Sequence, residues 1–295
     1  MIPAGWERAR LVLFRPPDYP HALALNETVD FFLYSLRRLG CETQRAENEL
    51  MTGGYNILFC AHLLGQGTAV GLPENCIVYN TEQIESGSSF DSPGYRGLLE
   101  RYVVWDYSAR NVEQLARALG HRRVYHVPVG YAPELTRIER SGPADIDVLF
   151  YGSLNERRQR VITALEAAGV RVHCAFGVYG AERDRLIARS RLVLNMHYFP
   201  TNIFEMIRVS YLLANRTAVV SERSPETEIV PELRDAVAFA PYERVVETCL
   251  SLLADDARRR ALAERAFEIF RKLTYREELI AAMNATGDTT SHESH

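Results

Sequence analysis

Short runs of Val, Ile, Leu and Phe alternate with longer amphipathic stretches along nearly the whole chain, and the alternation restarts once near its middle. A strand buried on both faces reads as a continuous apolar run, and successive parallel strands need a long crossover, usually a helix. The pattern therefore predicts an α/β protein built from two Rossmann-like, doubly wound sheets. In the first half, strands are expected at 10–14, 42–46, 56–62, 76–82, 102–106 and 123–128, with helices near 27–39, 94–101 and 109–119. The segment YAPELTRIERSGPADID carries prolines, a Ser-Gly pair and charge, and reads as a linker between domains. Strands then recur at 146–152, 171–176, 192–197, 217–222 and 236–240.

This organisation divides the chain into an N-terminal domain over 1–135, a C-terminal domain over 136–275, a terminal helix over 276–285 packing near the junction, and a polar tail over 286–295 expected to be disordered. Apolar residues make up 47% of the 295, enough for two cores. A net charge of -4 gives no reason to expect a nucleic-acid partner or an anionic membrane. No stretch approaches the roughly 18 apolar residues of a membrane span, so stable membrane insertion is not expected. The five separated cysteines, Cys41, Cys60, Cys76, Cys174 and Cys249, read as small buried hydrophobes of a reducing compartment, and a cytoplasmic location is expected.

In doubly wound sheets ligands bind beyond the carboxyl ends of the strands, here expected in a cleft between the two domains. Three strand-to-helix junctions of the second half carry suitable residues. In DVLFYGSLNERR, Gly152 permits close backbone approach, and Ser153 and the following helix, which opens with Arg157 and Arg158, can hold an anion. The stretch is not a P-loop, because it lacks the second glycine and the lysine. In AFGVYGAERDRL, Tyr179 can offer an aromatic face to a nucleobase. In LVLNMHYFPTNIFEMIRVSYLLANRTAVVSE, a strand ending at Asn195 and His197 leads into a helix. Asn202 suits the N-cap there, Glu205 falls in capping-box position, and Arg208 is spaced to pair with Glu205. Glu205 equally suits contact with a donor ligand, and Arg208 contact with a diphosphate, which an arginine can bind bidentately.

FYGSLNERR, LVLNMH and IRVSYLLANRTAVVSE together resemble bacterial GT-B glycosyltransferases of the group-1 type, including CgeB-like proteins, over residues 146–285. The resemblance implies that the second domain binds a nucleoside-diphosphate sugar, with Arg208 at the family's arginine. It also implies that the first domain binds a glycan, cell-surface or small-molecule acceptor and that no cofactor or metal is needed. Two departures stand out. Tyr211 occupies the place of the glutamate that usually holds the donor ribose, and the paired E-x7-E motif is absent, leaving Glu205 to replace one of these carboxylates from a different position or Glu222 to take the ribose. The one Asp-x-Asp, Asp145 and Asp147, enters a strand instead of leaving one, and reads as linker chemistry.

On the acceptor side Asp18 and His21 follow the first strand, and Glu82 ends the strand CIVYNTE before a Gly- and Ser-rich loop. Each is a candidate catalytic base, and His62 a candidate acceptor contact. A non-catalytic nucleotide-sugar-binding or scaffold module, or a sugar-nucleotide epimerase, is compatible with the same residues.

Overall fold

The computed structural model describes residues 2–64, 71–84, 88–198, 204–225 and 227–292; Asn202 lies outside them. The chain forms two compact units, Met1–Val129 with Tyr275–His295, and Gly130–Thr274.

The first unit is a six-stranded parallel sheet, ordered β2-β1-β3-β4-β5-β6. Its strands are β1 (Arg8–Leu13), β2 (Glu42–Glu47), β3 (Tyr55–Phe59), β4 (Cys76–Asn80), β5 (Val103–Asp106) and β6 (Val124–His126). Among the described residues three α-helices intervene, α1 (Asn26–Leu39), α2 (Pro93–Arg101) and α3 (Ala109–Leu119). Every residue of β3, β4 and β5 is buried, which is why these strands read as unbroken apolar runs. Helix α1 stops at Gly40, whose left-handed backbone (φ 96°) lets its N–H reach back to the carbonyls of Leu36 and Arg37. Trp6 stacks on Tyr55 at 4.2 Å and on Trp105 at 5.5 Å.

The last helix, α9 (Arg276–His292), completes this unit. Leu279, Ala282, Met283 and Thr286 recur at helical spacing and are buried. The indole of Trp6 donates to the Met283 carbonyl at 2.9 Å, and that of Trp105 to the Thr286 hydroxyl at 3.2 Å. Residues 286–292, expected to be disordered, instead continue this helix.

The second unit is a five-stranded parallel sheet ordered β11-β10-β9-β7-β8. It contains β7 (Ile146–Tyr151), α4 (Glu156–Ala167), β8 (Val172–Ala175), α5 (Gly180–Arg189), β9 (Ser190–Asn195), α6 (Met206–Ala214), β10 (Val219–Glu222), β11 (Ala238–Ala240), α7 (Val245–Ala254) and α8 (Asp256–Phe270). Val148, Phe150, Leu192, Leu194 and Val220 form its core with Ile162 and Leu165 of α4.

The stretch read as a linker is docked on this unit. Asn215 Oδ1 accepts the backbone N–H groups of Arg137 and Ile138, each at 2.8 Å, and its Nδ2 donates to the Leu135 carbonyl. Arg140 reaches the carbonyl of Ile187 at 3.0 Å and the hydroxyl of Thr217 at 2.9 Å. The units accordingly divide at 129/130 and not at 135/136. Asp145, just before β7, pairs with Arg189, and Asp147, near the start of β7, pairs with Arg171 and Arg191.

Candidate functional site

At the carboxyl end of β7 the chain turns through Gly152, whose φ of +137° is poorly open to residues with a Cβ. A Cβ added here would lie 3.2 Å from Arg208 Nη2 and 3.9 Å from Arg158 Nη1. The missing side chain thus leaves room for two guanidinium groups.

Their roles differ. Arg158, in the first turn of α4, has a side chain only 3% exposed. It donates to the carbonyls of Ser153 at 2.7 Å, His197 at 3.3 Å and Met196, and lies 3.7 Å from Glu205. Burial lowers its pKa to about 10, with Glu205 opposing the shift. Its donors are committed to the loops after β7 and β9, so it holds the site's walls. Arg208 is a quarter exposed and makes two long contacts, to Asn195 Oδ1 at 3.3 Å and Glu205 Oε2 at 3.4 Å. Its Nη2, over Gly152, hydrogen-bonds no described residue. Arg208 therefore has a donor to offer a ligand.

Helix α6 begins at Met206, later than the expected capping box. Glu205 occupies the N-cap position without capping the helix, because its carboxylate sits between Arg158 and Arg208. The expected pairing of Glu205 with Arg208 is present; the expected capping role is not. Asn195 is fully buried, with its amide donating to Ser221 Oγ at 3.0 Å and its oxygen facing Arg208. The side chain of Asn155 caps α4 by accepting from the Arg158 N–H at 2.9 Å.

Glu222 does not stand open to a ribose. It is 4% exposed, both carboxylate oxygens are taken by Arg157, and one also accepts the His197 N–H at 3.2 Å. Arg157 in turn lies over the Tyr242 ring at 3.9 Å. Glu222 and His197 thus shape the loop beyond β9. Tyr211 is also internal: its hydroxyl donates to Asp184 at 2.8 Å and accepts from Arg137 at 3.0 Å. Tyr179 immediately precedes α5.

Beside Gly152 lies an open concavity of about 330 Å³ lined by Gly152, Ser153, Leu154, Cys174, Ala175 and Phe176. Leu154 and Phe176 are 44% and 61% exposed, and so present apolar surface at the ends of β7 and β8. Cys174 is exposed here, contrary to the expectation that all five cysteines are buried, because β8 is an edge strand.

In the first unit Glu82 follows β4. Its Oε1 lies 3.3 Å from His62 Nδ1, and its Oε2 accepts the Ser89 hydroxyl at 2.8 Å. His21 meets Tyr19 edge-on at 5.2 Å, whereas Asp18 is exposed and bonds no described residue. Behind Glu82 is the buried carboxyl of Asp106, which accepts from Asn80, Asn111 and the Ser108 N–H. Among the described residues no group of three or more His, Cys, Asp or Glu is arranged to hold a metal ion, and no helix is long and apolar enough to cross a membrane.

Burial pushes the Asp106 carboxyl up to about 8 from an ordinary 3.8, against the pull of those hydrogen bonds. The folded chain then holds a proton that the unfolded chain has released between these values, so stability falls as pH rises across that window. Asp106→Asn is expected to flatten the slope, read from urea denaturation at pH 5 and pH 8. An unchanged slope would show that Asp106 is ionised throughout.

Residues 139–283 match the family described as Glycosyl transferase-like. The uncharacterized protein L140 of Acanthamoeba polyphaga mimivirus is 28% identical over 188 residues, 61% of this chain and 60% of its own length. L137 of the same virus is 24% identical over 66% of this chain and 27% of its own length. The match therefore spans less than two thirds of the length of either relative. Among solved structures, HepE from Anabaena in complex with UDP and glucose superimposes with a TM-score of 0.58 at 12% identity, over 97% of this chain and 99% of its own. Sucrose-phosphate synthase from Thermosynechococcus elongatus gives 0.57 at 11% identity, over 97% and 98%.

Proposed function

Because the chain has the α/β GT-B fold of glycosyltransferases and residues 139–283 match a glycosyl transferase-like family, we propose that it transfers a sugar from a uridine-type nucleoside-diphosphate sugar to a hydroxyl of a glycan or small-molecule acceptor. The observation that carries this reading is the convergence of Arg208 on Gly152 at the carboxyl end of β7, with a donor of Arg208 unspent.

In this reading Arg208 binds the diphosphate. Arg158 and Glu205 hold Arg208 and the flanking carbonyls in place before the ligand arrives, which limits the ordering cost of binding. The nucleobase enters the concavity beside Gly152, with Phe176 as its stacking surface and Leu154 opposite. Arg208 meets the charge that builds on the departing diphosphate, so transfer proceeds without a metal ion and persists in chelator. That UDP and glucose occupy HepE supports the choice of nucleotide.

Thermal unfolding against UDP, dTDP, GDP and ADP tests the proposal. UDP is expected to raise the melting temperature of the wild type, and Arg208→Ala to weaken binding about ten- to a hundredfold, as losing a charged hydrogen-bond donor does. A flat panel, or an unweakened variant, would refute the assignment.

A further inference from the structure

In the second unit a carboxylate stands where an incoming anion would go. Arg158 of α4 and Arg208 of α6 both approach the bare Cα of Gly152: a Cβ there would meet Nη1 of the first at 3.9 Å and Nη2 of the second at 3.2 Å. The two guanidinium groups are close enough that the charge of Arg208 helps to lower the pKa of Arg158. Glu205 lies between them, its Oε1 3.7 Å from Arg158 Nη2 and its Oε2 3.4 Å from Arg208 Nη1. Both separations exceed the roughly 2.7 to 2.9 Å of a close charge-assisted hydrogen bond, so the carboxylate is shared by the pair and spent on neither.

The main chain keeps Glu205 in this position. Its carbonyl accepts the N–H groups of Arg208 and Val209, each at 3.1 Å, and the preceding Phe204 is buried against Phe239 with ring centroids 5.2 Å apart. A ligand can therefore push the carboxylate aside by side-chain rotation alone, and a diphosphate on Arg208 stays within reach of its charge. The other charged or titratable groups around the pair do not supply this charge. Glu222, at the end of β10, is bound on both oxygens by Arg157, and Tyr198 and Tyr151 present their rings to Arg158 at 5.2 Å and to Arg208 at 5.6 Å.

We infer that Glu205 sets the selectivity of this site between two nucleotide states: its charge weakens the hold of Arg158 and Arg208 on a free nucleoside diphosphate more than on a nucleoside-diphosphate sugar, and so favours release of the spent nucleotide. The inference rests on the glycosyltransferase reading of Arg208. In the sugar nucleotide both phosphoryl groups are esterified and carry two negative charges between them. In UDP the terminal phosphoryl is free of the sugar, releases a further proton near pH 6 and carries a third charge. A unit charge about 4 to 5 Å from a carboxylate weakens binding roughly four- to sixfold even in the dielectric of water, and more in a partly buried cradle.

In the free protein the same carboxylate steadies Arg208, together with Asn195 Oδ1 at 3.3 Å. Glu205 thus orders the site before the donor arrives and opposes the more highly charged nucleotide that remains. Substitutions separate the two contributions. Glutamine keeps an acceptor for Arg208 and removes the charge. Serine also removes the charge, and is a favoured residue at the N-cap of α6, where Glu205 stands. Aspartate keeps the charge on a side chain one methylene shorter.

The test is titration calorimetry of the whole chain with UDP and with UDP-glucose at pH 8 and pH 5, after thermal unfolding has shown that each variant is folded. At pH 8 Glu205→Gln is expected to increase the preference for UDP over UDP-glucose about three- to tenfold. Glu205→Ser is expected to do the same, and carries the test if the glutamine variant does not fold. At pH 5, where the terminal phosphoryl holds its second proton, the change is expected to stay within about twofold. Glu205→Asp is expected to keep the wild-type preference at both. A merely structural glutamate would shift the two affinities together at either pH. A preference unmoved at pH 8, moved equally at both values, or moved as far by aspartate as by glutamine would overturn the inference and leave the donor reading intact. Failure of the wild type to bind either nucleotide would instead fell the donor reading, and this inference with it.

Discussion

Arg158→Met is expected to destabilise the second unit by about 3 to 5 kcal/mol, the scale seen when one partner of a buried ionic network is removed. The guanidinium lies inside the protein with three carbonyls, those of Ser153, Met196 and His197, as acceptors and Glu205 as counter-charge. Methionine fills much of the volume and satisfies none of them, leaving polar atoms buried without donors. Arg158→Lys is expected to recover only part of the loss, because an ammonium is a point charge and cannot span acceptors arranged around a planar fork. Urea denaturation of the three proteins gives the measurement. A methionine variant within about 1 kcal/mol of the wild type would mean that the loops after β7 and β9 hold their course unaided.

The second large effect is expected at Gly152. Valine there must adopt a φ near +137°, which costs on the order of 1 to 3 kcal/mol, and its Cβ meets Arg208 Nη2 at 3.2 Å. Either the backbone or Arg208 moves, so Gly152→Val is expected to lose both stability and nucleotide binding. Gly169→Ala separates the two contributions: φ is +81° there, but nothing lies within 4 Å of the added carbon. That variant should pay strain alone and bind UDP as the wild type does. Melting temperature and calorimetric affinity for both variants decide the matter. If Gly152→Val binds UDP normally, Arg208 does not need the space above residue 152.

Much of the fold is legible in the sequence because buried parallel strands must be apolar throughout, and NILF, CIVY and VLFY could hardly be anything else. Strand ends are legible for the converse reason. Asn80, Asp106, Gly152 and Asn195 interrupt those runs where the chain leaves the sheet, and the two guanidinium groups that meet over Gly152 follow from strand-turn-helix junctions alone. What was not legible depends on partners distant in sequence. The pattern Asn202-x-x-Glu205 is a good local capping signal, but Arg158 draws the carboxylate away and the helix starts at Met206. Glu222, at the end of β10, reads as free in the sequence, but Arg157 reaches it from α4. His62 and Glu82 are twenty residues apart, and only the adjacency of β3 and β4 brings them together. Cys174 looked internal because sequence does not reveal that its strand is an edge.

The return of α9 to the first unit bears on the order in which the two units can be finished during synthesis. Residues 130–274 form one continuous unit, and Tyr131 N–H donates to the Leu273 carbonyl at 2.8 Å, so its two ends are joined within it. Everything that unit needs has been translated by residue 274. The first unit begins earlier but finishes later: Trp6 and Trp105 wait for acceptors on Met283 and Thr286, which are translated only after the second unit is complete. A nascent chain therefore carries a complete second unit while the indoles of the first still lack their partners, and a translational pause after residue 274 would expose the older half of the protein, not the newer one.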